Sequence, residues 1–162
     1  MDRFLMHVNI VYPPVEDEVE VIRLVRGEEA AAAQASAEQP EAAPSSDGPA
    51  QSPQQAVFQA RAEIVGIHVS EAMERYMADL VYATRTPEKL SEKLASWIEV
   101  GASPRASLAL DKCSRTHAWL EGRDYVDPAD VRAIAHDVLR HRISLSFEAQ
   151  GDGVSVDQVI DE

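Results

Sequence analysis

The 162-residue sequence has little cysteine, few aromatic residues and no long apolar run. A single cysteine, Cys113, excludes an internal disulfide framework and fits a reducing compartment. No stretch approaches the ~18 consecutive apolar residues of a membrane-spanning helix, so we expect no membrane insertion. The first ten residues, MDRFLMHVNI, contain no basic run followed by an apolar core, and a secretory signal is not evident. Together these absences favour a cytoplasmic protein.

Basic residues are also scarce, since 15 Lys and Arg stand against 28 Asp and Glu, a net charge of −13. Such an acidic total repels phosphates and argues against nucleic acid as a partner. The acids are unevenly distributed, however, because residues 27–55 and 148–162 each contain five acids and no base. Residues 101–147 contain seven basic and six acidic residues. This part of the chain remains compatible with an anionic ligand.

Before residue 55 the chain shows three segments of different character. Residues 4–12, FLMHVNIVY, are mostly apolar and end at two prolines, which predicts a buried strand. No second strand lies nearby to pair with it, so the strand is an orphan. Residues 14–27 predict a helix, with acids in its first turn and a glycine at its end. Residues 28–54 contain no aliphatic residue larger than alanine and predict a disordered Ala/Pro-rich linker.

After the linker, the hydrophobic pattern is that of helices. Residues 55–147 predict a helical domain, and the helical period is kept as far as Ile98 in the segment that starts at Thr86-Pro87. Residues 142–147 alternate apolar and polar side chains and are weakly strand-like. Residues 148–162 predict an acidic tail with a short helix. N-cap signatures occur at Ser70, Ser103-Pro104, Asp127-Pro128 and Ser155 with Gln158. The predicted fold class is mainly α.

The most informative local feature is Gly101-Ala102-Ser103-Pro104-Arg105. It places Arg105 at the second position of a helix, where the macrodipole is positive and a cation is slightly unfavourable. One explanation is that Arg105 and the helix N-terminus together bind an anion such as a phosphate. The alternative is a solvent-facing arginine paired with Glu99 or another acid. Spacing alone favours this alternative, because the helix-end penalty is only roughly a few tenths of a kcal/mol.

Asp2-Arg3, just before the predicted strand, is a second candidate. An arginine at the mouth of a sheet can reach a phosphate on a neighbouring subunit, as an arginine finger does. The dipeptide alone has almost no specificity, and a surface ion pair is the default interpretation. Arg3 therefore needs support from another source.

Motifs that would carry catalysis by this chain alone are absent. Cys113 and His117 lie four apart on one helix face, but a structural zinc site needs four ligands and no second pair stands nearby. A packed cysteine and a half-exposed histidine are the simpler interpretation, and we expect no metal site. The sequence contains no nucleophile elbow, no HExxH and no phosphate-binding GxxxxGK[ST]. The chain alone should not bind and hydrolyse a nucleotide.

Three stretches carry a resemblance to a known family: MDRFLMHVNIVYPP, HVSEAMERYMADLVYATR and GASPRASLALDKCSRTHAWLEGRDYVDPADVRAIAHDVLRHRISLSF. The third resembles the C-terminal lid of the MoxR family of AAA+ ATPases, and the second fits the same family. The first resembles the end of the ATPase core. The resemblance implies that residues 1–13 are the last strand of a core sheet whose other strands lie upstream, which accounts for the orphan strand.

The resemblance also implies roles for individual residues. Arg105 matches the sensor 2 arginine, which reaches ATP in its own subunit, and Ser103 and Pro104 accompany it at the cofactor. Arg3 matches the arginine finger, which acts in trans on ATP of the adjacent subunit in a ring. The implied cofactors are ATP and Mg in the full-length protein, with no tight binding to this chain alone. The implied partners are further copies of the protein and proteins with von Willebrand factor A domains.

The chain also departs from the family pattern. The Walker A and Walker B motifs and the first sensor are absent from it, and Asp111 replaces a usually aliphatic residue of the lid helix. Two hypotheses are therefore open. The chain is either the C-terminal portion of an ATPase that remodels client proteins, or a free-standing helical interaction module that has lost the motor.

Overall fold

A computed structural model of the chain describes residues 2–10, 14, 17, 19–28 and 53–162. The chain divides into two compact units, one formed by residues 1–8 with 53–162 and the other by residues 9–52. In the second unit, residues 19–28 form helix α1. The predicted linker, residues 28–54, lies outside the described residues except at its two ends, which are helical.

The first unit is built mainly from helices, which confirms the predicted fold class. Its elements in chain order are α2 (Pro53–Val65), α3 (Glu71–Arg85), a 3₁₀ turn (Pro87–Lys89), α4 (Glu92–Trp97), β1 (Ile98–Val100), α5 (Pro104–Leu120), α6 (Pro128–Leu139), β2 (Ser144–Leu145), α7 (Phe147–Gly151) and α8 (Val156–Asp161). No helix in the described ranges is long and apolar enough to cross a membrane.

The helices begin at the predicted N-cap residues. Ser70, Ser103 and Ser155 cap α3, α5 and α8, and their hydroxyl groups accept hydrogen bonds from first-turn N–H groups. These N–H groups have no partner within their own helix, so each cap satisfies an otherwise free donor. In α6 the capping is reciprocal, because Asp127 accepts from the N–H of Asp130 while the Asp130 carboxylate accepts from the N–H of Asp127. All four predicted helix starts are confirmed.

Helix α5 lies at the centre of the packing, in contact with α2, α3 and α6. Its buried face consists mostly of small side chains, which let the neighbouring helices approach closely. Larger side chains from other helices complete the core, and Val81 of α3 and Val131 of α6 have no exposed surface. The buried residues of α5 are Ala106, Ala109, Leu110, Cys113, Ser114 and Ala118. The position of α5 therefore sets the positions of three other helices.

The amino-terminal segment differs from its prediction. Residues 4–12 predict a strand, but residues 4–10, the part that the structure describes, form no strand. A strand requires a neighbour to pair with its N–H and C=O groups, and the described residues place none beside this segment. Its main chain instead makes isolated hydrogen bonds, such as that from the N–H of His7 to the carbonyl oxygen of Asp137 at 2.8 Å.

The segment before α5 also differs. The helical period predicts helix as far as Ile98, but α4 ends at Trp97 and Ile98 begins the short strand β1. β1 pairs antiparallel with β2, with Ile98 opposite Leu145 and Val100 opposite Ser144. β2 lies in the stretch that the sequence marks as weakly strand-like. Pairing with a strand that is distant in the sequence thus overrides the local helical pattern, as tertiary contacts often do for short segments.

The carboxyl-terminal residues 148–162 pack as part of the first unit and do not form a separate tail. Helices α7 and α8 bury Ala149 and Val159 in a small apolar cluster with Leu94 and Leu145. The predicted boundary at residue 147 is therefore not a boundary in the packing. The acidic residues mislead here, because the two acids of α8, Asp157 and Asp161, each lie 3.0 Å from a ring nitrogen of His136 in α6 and so help to dock the helix.

A buried carboxylate joins the end of α5 to the start of α6. Asp130 has no exposed surface and accepts hydrogen bonds from both terminal nitrogens of Arg123, at 2.8 and 2.5 Å. Its Oδ1 also lies 2.7 Å from Nδ1 of His117. Burial alone raises the pKa of Asp130, but the hydrogen bonds from Arg123, Asp127 and His117 outweigh burial and hold the pKa well below its ordinary value. The group therefore stays ionised in the fold.

We expect acid to destabilise the fold through Asp130. A lowered folded pKa means that this carboxylate contributes its full stability above its unfolded pKa, near ~3.9, and loses it as the pH falls toward the folded pKa. The free energy of unfolding, measured with urea, should therefore decrease between about pH 5 and pH 2. Asp130→Asn should cost about 3 kcal/mol at pH 7, because it removes the buried carboxylate that both terminal nitrogens of Arg123 bind. The variant should also show a smaller decrease over that pH range.

The matched control is Asp79→Asn, which removes an exposed carboxylate paired with Arg75 four residues away. This variant should keep the pH dependence of the unmodified chain, because exposed ion pairs contribute little. An Asp130→Asn variant with the same pH dependence as the unmodified chain would contradict the assignment.

The loop before α5 leaves no room for a side chain at Gly101. A Cβ at this position would overlap the carbonyl oxygen and carbon of Thr84, at the end of α3. The same threonine accepts a hydrogen bond from the N–H of Ala102 on its Oγ1, at 2.9 Å. Gly101→Ala should therefore destabilise the fold by about 1–3 kcal/mol in urea unfolding. Gly151→Ala, where a Cβ meets no atom within 4 Å, should change stability by less than about 1 kcal/mol. Equal effects of the two substitutions would refute the close contact.

Candidate functional site

The predicted site residues Arg3 and Arg105 line the same cleft. The cleft lies where residues 2–5 cross the amino-terminal half of α5, and its volume is about 380 Å³. Its lining consists of Asp2, Arg3, Phe4, Leu5, Arg105, Leu108, Ala109, Lys112 and Arg142. Two residues distant in sequence thus meet in one place, as a shared ligand would require.

The start of α5 places Arg105 at the cleft. Ser103 caps the helix, with its Oγ accepting from the N–H of Arg105 at 3.2 Å. Pro104 occupies the first helical position, where its missing N–H costs nothing, and it does not line the cleft. The side chain of Arg105 is 57% exposed and therefore available to a ligand. Its guanidinium and the positive end of the α5 dipole would both attract an anion placed in the cleft.

Asp2 is the acid that faces this helix start. Its Oδ2 accepts from Oγ of Ser103 at 2.9 Å and lies 3.9 Å from Nε of Arg105. Its Oδ1 accepts from Nη1 of Arg142 at 2.5 Å. The hydrogen bond from Ser103, followed by that from Arg142, lowers the pKa of Asp2. Arg105 thus does have an acidic partner, as one of the two sequence interpretations expects, although the partner is Asp2 and not Glu99.

The charges of the cleft are predominantly positive. Four basic side chains, those of Arg3, Arg105, Lys112 and Arg142, line it together with the single carboxylate of Asp2. Arg3 and Lys112 are exposed, and neither forms an ion pair with a residue that the structure describes. The cleft can therefore receive an anion with more than one negative charge, in a protein whose total charge is −13.

Three charged residues of the cleft, Asp2, Lys112 and Arg142, were given no role of their own from the sequence. The sequence does contain a signal that Lys112 lies near Arg105, because it follows Arg105 by seven residues and is therefore on the same face of α5. Asp2 had a weaker one, as the neighbour of Arg3. Arg142 had none, because its contact with Asp2 joins residues 140 positions apart.

Cys113 and His117, the two possible metal ligands in the sequence, are engaged in other ways in the structure. Cys113 is buried, and burial raises the pKa of its thiol to about 11, so the metal-binding thiolate is disfavoured. His117 directs Nδ1 at the carboxylate of Asp130. Within the described ranges, no group of three or more His, Cys, Asp or Glu residues is placed to hold a metal ion.

Three comparisons with known proteins give mutually consistent results. The AAA lid domain family matches residues 94–162. The Chaperone MoxR1 of Mycobacterium tuberculosis is 36% identical over 98% of this chain and 38% of that protein. The Protein MoxR of Paracoccus denitrificans is 44% identical over 50% of this chain and 25% of that protein. A crystal structure of a Cytophaga hutchinsonii protein assigned as an ATPase has a TM-score of 0.77 and 33% identity, covering 99% of this chain and 44% of that one.

The fold and these similarities define the helical unit as an AAA+ lid domain. The chain belongs to the MoxR family of AAA+ ATPases and corresponds to the C-terminal part of its members. It spans less than half the length of the relatives that it matches. The resemblance drawn from the sequence is thereby confirmed at the level of the family.

Ser103 should matter more to stability than an ordinary helix cap, because its hydroxyl both accepts from the N–H of Arg105 and donates to Asp2. We expect Ser103→Ala to lower the free energy of unfolding by about 1–2 kcal/mol, measured with urea at pH 7. Ser155→Ala, which removes the cap of α8, is the control and should cost less. A larger loss at Ser155 would show that the contact with Asp2 contributes nothing.

Proposed function

We propose that this chain supplies Arg3 and Arg105 to an ATP-hydrolysing ring of the MoxR type. The observation that carries the proposal is their position in one positively charged cleft. The nucleotide-binding motifs are not in this chain, so ATP and Mg would be held mainly by a core of the kind that the relatives possess. The chain would contribute the two positively charged side chains, and it would not act as an ATPase alone.

The position of the two arginines favours a shared target. The family resemblance assigns Arg105 to the ATP of its own subunit and Arg3 to that of the adjacent one. Side chains that line one cleft are more easily explained by contact with the same phosphate group. We therefore propose that both arginines act on ATP of the adjacent subunit, with Arg3 as the arginine finger and Arg105 as the second cation.

The chemistry that such a pair supports is phosphoryl transfer. Negative charge on the transferred group spreads over its equatorial oxygens in the transition state, and guanidinium groups stabilise that charge. Arginine suits the task because its planar fork can donate two parallel hydrogen bonds and because it is never neutral in proteins. Ser103 and Pro104 would serve by starting α5 at the position that directs Arg105 into the cleft.

Action on a neighbouring subunit requires an assembly in which copies lie side by side. We propose a ring of identical subunits, working in the cytoplasm as a chaperone-like ATPase. The name of the Mycobacterium tuberculosis relative, Chaperone MoxR1, supports remodelling of other proteins as the output. Proteins with von Willebrand factor A domains are the partners that the family resemblance favours.

The test joins this chain to the nucleotide-binding core of a MoxR relative and measures ATP hydrolysis. Arg3→Ala should lower kcat by about 10³- to 10⁵-fold, as loss of an arginine finger does, and Arg105→Ala should also lower it strongly. Arg75→Ala, which changes an exposed arginine whose side chain is 79% accessible, is the matched control and should leave kcat unchanged. Unchanged turnover in the Arg3 and Arg105 variants would contradict the proposed function.

Mixed rings decide which subunit Arg105 serves. Subunits carrying Arg105→Ala are mixed with subunits whose core cannot bind nucleotide. If Arg105 acts on the adjacent subunit, the mixture contains complete sites, and activity should recover above that of either parent. The same mixture made with Arg3→Ala is the positive control. Recovery with Arg3→Ala but not with Arg105→Ala would place Arg105 in its own subunit's site.

A further inference from the structure

We infer that Arg142 is a positioning residue that, with Asp2, clamps the segment carrying Arg3 against the lid domain. The inference rests on the proposed function of Arg3. It concerns a residue at the far end of the chain from Arg3, which touches the backbone on both sides of it. We call the contacts of Arg142 with residues 2–5 the clamp.

The guanidinium of Arg142 is buried and fully engaged. Its side chain is 2% exposed, and Nε donates to the carbonyl oxygen of Val138 at 2.8 Å, which anchors it to the end of α6. Nη1 donates to the carbonyl oxygen of Asp2 at 2.8 Å and to its Oδ1 at 2.5 Å. Nη2 donates to the carbonyl oxygens of Phe4 and, more weakly at 3.4 Å, of Leu5.

Burial makes these contacts obligatory. A charged group taken out of water is tolerated only when it is paired and its donors are satisfied. The planar fork of the guanidinium also fixes the directions in which those donors point. The carbonyl groups of residues 2, 4 and 5 are therefore held at defined positions relative to α6. A displacement of the segment would leave the buried guanidinium without its hydrogen-bond partners.

The clamp brackets Arg3. The carbonyl oxygens before and after this residue, those of Asp2 and Phe4, are both bound by Arg142. Consecutive Cα atoms are about 3.8 Å apart, so a residue between two anchored neighbours has little freedom to move its main chain. The side chain of Arg3, which is exposed and lines the cleft, is therefore attached to a main chain of restricted position.

The clamp also connects Arg3 to Arg105. The carboxylate of Asp2 joins Arg142 on one side to Ser103 on the other, and Ser103 caps the helix whose second residue is Arg105. One aspartate thus sets the spacing between the two basic side chains. A reacting group is sensitive to such spacing, because a misplacement of about 1 Å can cost 10²-fold in rate.

The test measures ATP hydrolysis by the same joined core-and-lid protein. Arg142→Gln and Asp2→Asn should each lower kcat by about 10- to 100-fold with little change in KM for ATP. Arg115→Gln removes another largely buried arginine, which pairs with Asp111 on α5 away from the cleft, and should leave kcat unchanged. Urea unfolding identifies any variant that fails to fold. If Arg142→Gln fails to fold, Asp2→Asn, which is the milder change, still tests the clamp.

Epistasis with Arg3 separates positioning from a general structural effect. In an Arg3→Ala background, Arg142→Gln should lower kcat by much less than it does in the unmodified protein, because the arginine that it mainly positions is gone. A full additional loss in that background, or wild-type kcat in both folded clamp variants, would overturn the inference.

Amide hydrogen exchange provides a readout that does not depend on activity. In Arg142→Gln, the peptide covering residues 2–8 should exchange faster than in the unmodified protein, whereas Arg115→Gln should leave it unchanged. If Arg3→Ala itself leaves turnover unchanged, the proposed function fails, and exchange alone then decides whether the clamp exists. Unchanged exchange in Arg142→Gln would refute it.

Discussion

The packing of α5 against α6 is the contact on which the other features of this lid domain depend. Two different forces hold it. Small side chains along α5 allow a close apolar approach, and the ionised, fully buried Asp130 binds Arg123 and His117 at the turn between the helices. The apolar contact is non-directional, but the buried carboxylate has fixed acceptor directions. Asp130 therefore sets the angle at which α6 leaves α5. The position of Arg142, which follows the far end of α6, depends on that angle.

The charge distribution shows why a net charge says little about a site. The protein is strongly acidic, yet four basic side chains and one acidic side chain line the cleft beside α5. Part of the negative charge belongs to the predicted linker, and part lies in ion pairs such as that of Asp157 with Arg140. An ionic ligand responds mainly to charges within about a Debye length, near 10 Å, so the local balance is the relevant quantity.

Local signals in the sequence predicted much of the fold, while long-range contacts decided the rest. Helix starts were predictable because an N-cap acts within three residues, and Ser103 with Pro104 is such a signal. The end of α4 was not predictable in this way, because β1 exists only through its pairing with β2. The amino-terminal segment has the composition of a strand but no strand beside it among the described residues. In the cleft, Arg105 and Arg3 were identified by pattern and resemblance, whereas Arg142 reaches Asp2 across 140 residues.

Arg142 recognises residues 4 and 5 only through their carbonyl oxygens. Every amino acid carries that group, so the clamp places no demand on the side chains of Phe4 and Leu5, which are both exposed. The clamp therefore constrains the number of residues between Asp2 and Leu5, while the side chains of Phe4 and Leu5 are constrained only by the cleft that they line. An insertion or deletion there would shift the carbonyl groups out of register with the guanidinium. Through Arg142, this part of the chain is constrained in its length and not in the identity of its side chains.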